Sequence, residues 1–260
     1  MNIHIHTADK VIFYSISFML IASIGSFIGV CIYRIPRGES IVGGRSRCPH
    51  CGGILKIQNL LPLVSYIFQK GRCCYCSEII SPFYPFIEIL TAAVLLLIYT
   101  TAGFNKILLP YWFLASLLLV TAFIDLRYMY IPNGIIFTGL IGGSIMKLVL
   151  GTSGLGGIFL GIFAGAFPML AIYLLRPGGM GAGDVKLAAV MGGILGWQHV
   201  LLALFLSFFL GAFAGIFLVL LGQKGLKDPM PFGPFLAMGR MLSMTLGGWI
   251  IPWYSSLILI

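Results

Sequence analysis

Over 260 residues, 59% are hydrophobic and only 9% charged, so the chain lacks the polar surface of a water-soluble domain, where about a quarter of residues carry charge. In lipid the backbone must satisfy its own hydrogen bonds, which leaves helices or a closed barrel. The apolar runs are continuous and helix-length, without the alternation of barrel strands, so the barrel is excluded too.

A spanning helix takes roughly 20 mostly apolar residues. In chain order the predicted spans are 11–33, 83–101, 108–124, 135–150, 158–175, 185–195, 200–221 and 235–254. The expected fold is therefore an all-α integral membrane protein with about eight transmembrane helices. The first run follows Lys10 but exceeds the roughly 7–15 apolar residues of a secretory signal, and it leads straight into basic sequence, so it reads as a retained span. The sixth is short and glycine-rich. Three parts follow: a first span in 1–33, a hydrophilic insert in 34–82, and a membrane core in 83–260.

The net charge of +9 sets the orientation. With the N-terminus outside, the inside segments hold Arg34, Arg37, Arg45, Arg47, Lys56, Lys70, Arg72, Arg127, Arg176, Lys186, Lys224 and Lys227. Only Lys10, Lys106 and Lys147 fall outside, and Arg240 lies within the last span. Twelve against three is a strong positive-inside bias, which makes 34–82 cytoplasmic. Basic cytoplasmic loops are ordinary in membrane proteins, so the charge does not call for nucleic acid.

Within the insert, Cys48-Pro-His-Cys51 and Cys73-Cys74-Tyr75-Cys76 form two Cys-x-x-Cys pairs with 21 residues between them. Two such knuckles close a tetrahedral thiolate site around zinc, and the segment is too short to fold on a hydrophobic core alone. Two disulfides are the competing reading, which a reducing cytoplasm disfavours. Four thiolates leave no open position on the metal, so the expected zinc is structural, held by Cys48, Cys51, Cys73 and Cys76. Cys74 is a spare thiol able to replace Cys73 in another register. His50 reads as solvated, and Cys31 as a small core residue.

Seven acidic residues occur in the whole chain. Of these, Glu88, Asp125 and Asp184 lie in or at the edge of a span, where an ionisable group is costly and marks a functional candidate. Asp125 ends the third span, in Phe123-Ile-Asp-Leu-Arg, and Asp184 opens the sixth, in Gly181-Ala-Gly-Asp184. Those spans run in opposite directions, so both carboxyls are expected at the cytoplasmic edge. Two carboxyls held close share one proton, the pairing that activates water against a peptide carbonyl and protonates the leaving amine. Either aspartate alone reads as an interfacial carboxylate paired with Arg127 or Lys186; together, one of them in a glycine-rich hinge, they favour a catalytic pair. For Glu88, binding of an amine or cation and a hydrogen bond to a neighbouring helix both remain open.

With these motifs in order along nearly the whole chain, it resembles the bacterial type IV prepilin leader peptidases. Gly25-Ser-Phe-Ile-Gly through Arg34-Ile-Pro-Arg-Gly-Glu39 is similar to that family's first span and its exit, and the Cys pairs to its zinc domain. Ser81-Pro-Phe-Tyr-Pro-Phe-Ile-Glu88 resembles the start of its second span. Asp125 with Ile131-Pro132, Gly181–Asp184, and Pro231-Phe-Gly-Pro-Phe235 match its later motifs. The resemblance implies an aspartic endopeptidase of the bacterial inner membrane, with Asp125 and Asp184 as catalytic pair at the cytoplasmic face. It would remove a short basic leader from type IV prepilins or type II secretion pseudopilins. Because the insert is present, it also implies N-methylation of the new amine with S-adenosylmethionine, whose site the sequence does not place.

Asn133 stands where many relatives carry aspartate, Gly43-Gly44 where proline is frequent, and Cys74 is an extra thiol. A presenilin-like protease also carries Gly-x-Gly-Asp, but the cysteine insert and Pro-Phe-Gly-Pro argue against that alternative. A transporter using the aspartates as a proton relay would be expected to show internal repeats, and none is found. A non-catalytic scaffold would tolerate loss of either aspartate.

Overall fold

The computed structural model describes residues 7–43, 45–176, 178–223, 225 and 228–258; Gly44, Lys224 and Lys227 lie outside the described residues. Among the described residues the chain is helical, with two isolated antiparallel bridges in place of any sheet. It divides into two compact units, Met1–Leu97 and Ile98–Ile260.

The first unit begins with α1 (Thr7–Arg34), which passes into a 3-10 turn at Ile35–Arg37 and stops at Gly38 with φ 69°. Among the described residues, a second 3-10 turn at Ile57–Leu60 and the short α2 (Val64–Phe68) are the other helical pieces before α3 (Phe83–Ala102). α1 and α3 touch backbone to backbone: a methyl on Gly25 would lie 2.8 Å from Glu88 Cα and 3.2 Å from Thr91 Cβ. Gly25 in the first motif is thus a packing requirement.

The second unit holds α4 (Leu108–Tyr128), α5 (Asn133–Val149), α6 (Leu155–Leu175), α7 (Ala182–Leu195), α8 (Trp197–Leu220) and α9 (Gly233–Ile258). α7 is its core: Leu187 through Leu195 are all buried, packed by α4, α5, α6 and α8. Lipid gives helices no hydrophobic reason to associate, so close contact must supply the attraction, and small residues permit it. Gly161 and Gly165 of α6 lie directly on the backbone of Gly192 and Ala188 of α7, where any side chain would collide. Gly239 of α9 meets Ala203 and Ser207 of α8 in the same way.

Buried cations bond to main-chain carbonyls here. Lys147 of α5 donates to the carbonyl of Ile194 (3.0 Å), in the last turn of α7, where the helix dipole favours positive charge. Arg240 of α9, fully buried, donates to the Tyr111 carbonyl (3.0 Å) and lies 5.4 Å from that residue's ring centroid.

Every apolar segment read from the sequence is helical. Among the described residues, five helices are long and apolar enough to cross a membrane: the stretch Leu20–Arg37, then Phe83–Ala102, Leu108–Tyr128, Leu155–Leu175 and Trp197–Leu220. Of the other three, α5 has 17 residues, α7 has 14, and α9 carries the charged Arg240.

Candidate active site and metal centre

Asp125 sits in the last turn of α4 and is 6% exposed. The helix ends four residues on at Met129, in the left-handed region with φ 52°, whose N–H returns to the Asp125 carbonyl. The chain then extends through Ile131 and Pro132, and α5 starts at Asn133. Asp184, 8% exposed, occupies the first turn of α7, where the helix N-terminus stabilises negative charge. The two carboxylates, 59 positions apart, come near enough for charge on Asp125 to act on Asp184.

Each glycine of Gly181-Ala-Gly-Asp184 has a separate task. A methyl on Gly181 would stand 3.1 Å from Asp184 Oδ2 and crowd the carboxylate. One on Gly183 would meet Ile131 Cβ at 3.0 Å and push away the segment following Asp125. Gly183 thus lets the segment that follows Asp125 lie close against the start of α7, which carries Asp184.

The Pro231-Phe-Gly-Pro motif also has its reason here. The Gly233 N–H donates to Asp125 Oδ2 at 2.8 Å, and the Phe232 amide also bonds this carboxylate. Both amides belong to the start of α9, and the Phe232 ring is anchored on Phe208 of α8 at 5.0 Å between centroids. Glycine at 233 suits this approach, since a methyl would lie 3.0 Å from Oδ2 and 3.2 Å from Cβ of Asp125 and displace the carboxylate by a few tenths of an ångström. The motif was visible in the sequence, but its partner lies 108 positions away.

Lys186, one candidate partner for Asp184, bonds instead to Asn133 Oδ1 at 2.9 Å. Asn133 thus ties the start of α5 to α7 with a neutral acceptor. Glu88, in the first unit, accepts the Leu63 N–H at 2.8 Å and a hydrogen bond from Ser26 of α1. Of its two open readings, the hydrogen bond to a neighbouring helix is present.

In the insert, Cys48, Cys51, Cys73 and Cys76 bring their four sulfurs within 4.8 Å of one another, with Cys48 and Cys76 3.8 Å apart. The two knuckles repeat one backbone plan. Cys48 N–H donates to Gly53 O and Gly52 N–H to Cys48 O; Cys73 N–H donates to Glu78 O and Ser77 N–H to Cys73 O. Gly52 (φ 69°) and Ser77 (φ 59°) turn the chain at equivalent places. The amides of Tyr75 and Cys76 draw the Cys73 thiol down to about 6. At Cys76 the Glu78 amide pulls the same way but is outweighed by burial and by Cys51, Cys73 and Cys48, which push it up to about 12. Such a quartet gathers negative charge only around a cation, and the four sulfurs can hold a metal ion. Cys74 stays outside the cluster, accepting a hydrogen bond from Asn59 Nδ2 at 3.2 Å; His50 is exposed and Cys31 buried in α1.

A helical membrane protein with two buried aspartates at the ends of adjoining helices and a four-cysteine insert is the class these features define. Comparison with known proteins narrows it. Residues 19–102 match the bacterial peptidase A24 N-terminal domain and 112–216 the type IV leader peptidase family. The Bacillus subtilis (strain 168) prepilin leader peptidase/N-methyltransferase is 35% identical over 92% of this chain and 97% of its own length. Proteins of the same name from Aeromonas hydrophila and Legionella pneumophila are 33% and 31% identical, covering 94% and 89% of this chain and 94% and 91% of their own lengths. No solved structure matches the chain. The chain belongs to the type IV leader peptidase family.

Proposed function

We propose that this protein cleaves the basic leader from type IV prepilins or type II secretion pseudopilins and N-methylates the residue it exposes. Relatives named for both activities, aligned over nearly the whole chain, support this. The observation that carries the mechanism is the meeting of Asp125 and Asp184, with one oxygen of Asp125 held by the Gly233 amide.

In this reading one carboxylate removes a proton from water as its oxygen attacks the scissile carbonyl carbon. The protonated partner gives its proton to the carbonyl oxygen, and collapse of the tetrahedral species protonates the leaving amine. The bonds from Gly233 and Phe232 fix the orientation of Asp125.

The protein sits in the bacterial inner membrane with about eight spans. The short α5 and α7 and the Arg240-bearing α9 cross within the bundle, and the carboxylate pair lies at the cytoplasmic face. Its parts are a first span in 1–33, a zinc-stapled cytoplasmic insert in 34–82 and a peptidase core in 83–260. Zinc fits the quartet: bonds of about 2.3 Å to four tetrahedral sulfurs imply edges of about 3.8 Å, the Cys48–Cys76 separation. Lipid and prepilin are the partners, with S-adenosylmethionine as methyl donor and no role for nucleic acid.

The test is cleavage of a synthetic prepilin by purified wild type, Asp125→Asn and Asp184→Asn in detergent. Folded but inactive variants support the pair; a folded variant that cleaves at the wild-type rate refutes it.

A further inference from the structure

Among the described residues the second unit buries two cations, Lys147 and Arg240, and only one is accounted for. Lys147 bonds a carbonyl in the last turn of α7, the negative end of that helix. Arg240 is in the opposite situation. Its Nη2 donates at 3.0 Å to the carbonyl of Tyr111, which lies in the first turn of α4, where the helix dipole disfavours a cation. Nη1 meets the Met241 sulfur at 3.0 Å, and Nε has no partner among the described residues. Arginine does not shed its proton to escape the cost of burial.

No carboxylate of this unit supplies the missing charge. Asp125 and Asp184 sit at the opposite ends of α4 and α7 from Tyr111 and Leu195, about 21 and 16 Å away along the helix axes. Asp228, ahead of α9, accepts the Gly225 N–H. An ionisable group inside a span is expensive, and one kept there is a candidate for function.

Beside Arg240 the helices leave a cavity of about 230 Å³, whose wall includes Asn105, Tyr111, Leu195, His199, Ser243 and Gly248. The Tyr111 ring on this wall has its centroid 5.4 Å from the Arg240 guanidinium carbon. Ser243 lies one turn beyond Arg240 on α9, and its hydroxyl donates to the His199 carbonyl at 2.8 Å. A methyl on Gly247 would stand 2.8 Å from His199 Cε1, so the imidazole is seated against α9 at a glycine. His199 itself is in the first turn of α8, whose leading N–H groups have no acceptor within the helix and carry the positive end of its dipole. A buried guanidinium and the N-termini of two helices therefore meet around one polar-walled space.

We propose that this cavity holds a phosphate group, either the headgroup of an anionic phospholipid or free phosphate, with Arg240 as the counter-charge. Charges act over several ångströms in a low-dielectric interior, so Arg240 is felt through the Tyr111 wall. Guanidinium groups and helix N-termini are the usual partners of phosphate. The volume is below the roughly 300–1,000 Å³ of sites for drug-sized ligands, which suits one small charged group.

The test is thermal unfolding of the full chain, stripped of lipid in a neutral detergent. Dioleoyl phosphatidylglycerol, zwitterionic dioleoyl phosphatidylcholine and inorganic phosphate are added separately. The wild type should gain at least about 3 °C from an anionic probe well above its dissociation constant, and nothing from phosphatidylcholine. A gain from inorganic phosphate identifies the free ion as sufficient; a gain from phosphatidylglycerol alone identifies lipid as the source. Arg240→Met should lose the gain. Gly248→Leu should lose it as well: Gly248 is exposed on the cavity wall, and a methyl there meets nothing within 4 Å, so the variant folds while its side chain takes up the space. If Arg240→Met does not fold, Gly248→Leu decides. No gain in the wild type from either anion, an equal gain from phosphatidylcholine, or a gain kept in full by either folded variant overturns the proposal.

Discussion

The two units of this chain are held together by different physics. Between α1 and α3 the first unit has little regular structure. Its order comes from two backbone knuckles and four sulfurs gathered within 4.8 Å. The second unit is helix upon helix, with glycines of α6 and α9 set against the backbones of α7 and α8. A short polar segment cannot bury enough apolar surface to offset its chain entropy, so it needs a cross-link. Long apolar helices face the opposite difficulty: lipid solvates them well, and contact at van der Waals distance is what separates one arrangement from another. The chain thus uses cysteine where water surrounds it and glycine where lipid does.

Breaking the glycine contacts has the largest expected effect. Gly192→Leu forces α6 and α7 apart over several residues, beyond the roughly 1–3 kcal/mol of ordinary overpacking. No folded protein should survive a thermal scan in detergent. Breaking the cluster is more local. Cys73→Ser, or a strong chelator, should bring bound metal from one equivalent to none and open 34–82 to protease, while fragments from the second unit stay intact. Metal must displace protons from the four thiols, Cys76 among them pushed up to about 12, so uptake by stripped protein should weaken steadily as pH falls.

A subtler change sharpens the comparison inside the second unit. Gly233→Ala places a methyl against the Asp125 carboxylate, and a small displacement of a reacting group costs on the order of 10²-fold in rate. Prepilin turnover should fall by about that much with little change in unfolding temperature. Smallest is Lys186→Met, which removes one exposed hydrogen bond to Asn133. About 0.5–1.5 kcal/mol of stability should be lost, read from a denaturation curve, and leader cleavage should persist.

The helices and the approach of the two aspartates were legible because composition, span counting and charge placement act over long stretches of chain. The quartet of Cys48, Cys51, Cys73 and Cys76 was legible from spacing. What stayed hidden depends on tertiary contacts that no local pattern encodes. Pro231-Phe-Gly-Pro is a visible motif, yet its task is to aim two amides at a carboxylate 108 positions earlier. Lys186, two residues from Asp184, reads as its counter-ion, but the turn of α7 carries it to Asn133. Glu88 was recognised as costly, and its bonds to Leu63 and Ser26 appeared only in the structure. Cys73 and Cys74 are equivalent by spacing, and the backbone turn at Ser77 selects the former.

The central claim is that Asp125 and Asp184 perform proteolysis, while methyl transfer uses other residues. The most direct test gives Asp125→Asn and Asp184→Asn two substrates, an intact prepilin and a synthetic pilin peptide already lacking its leader. The account predicts that leader cleavage falls on the order of 10³-fold or more, as loss of an acid–base group does, while the shortened peptide is still methylated. A folded variant that cleaves the prepilin as fast as wild type would contradict it.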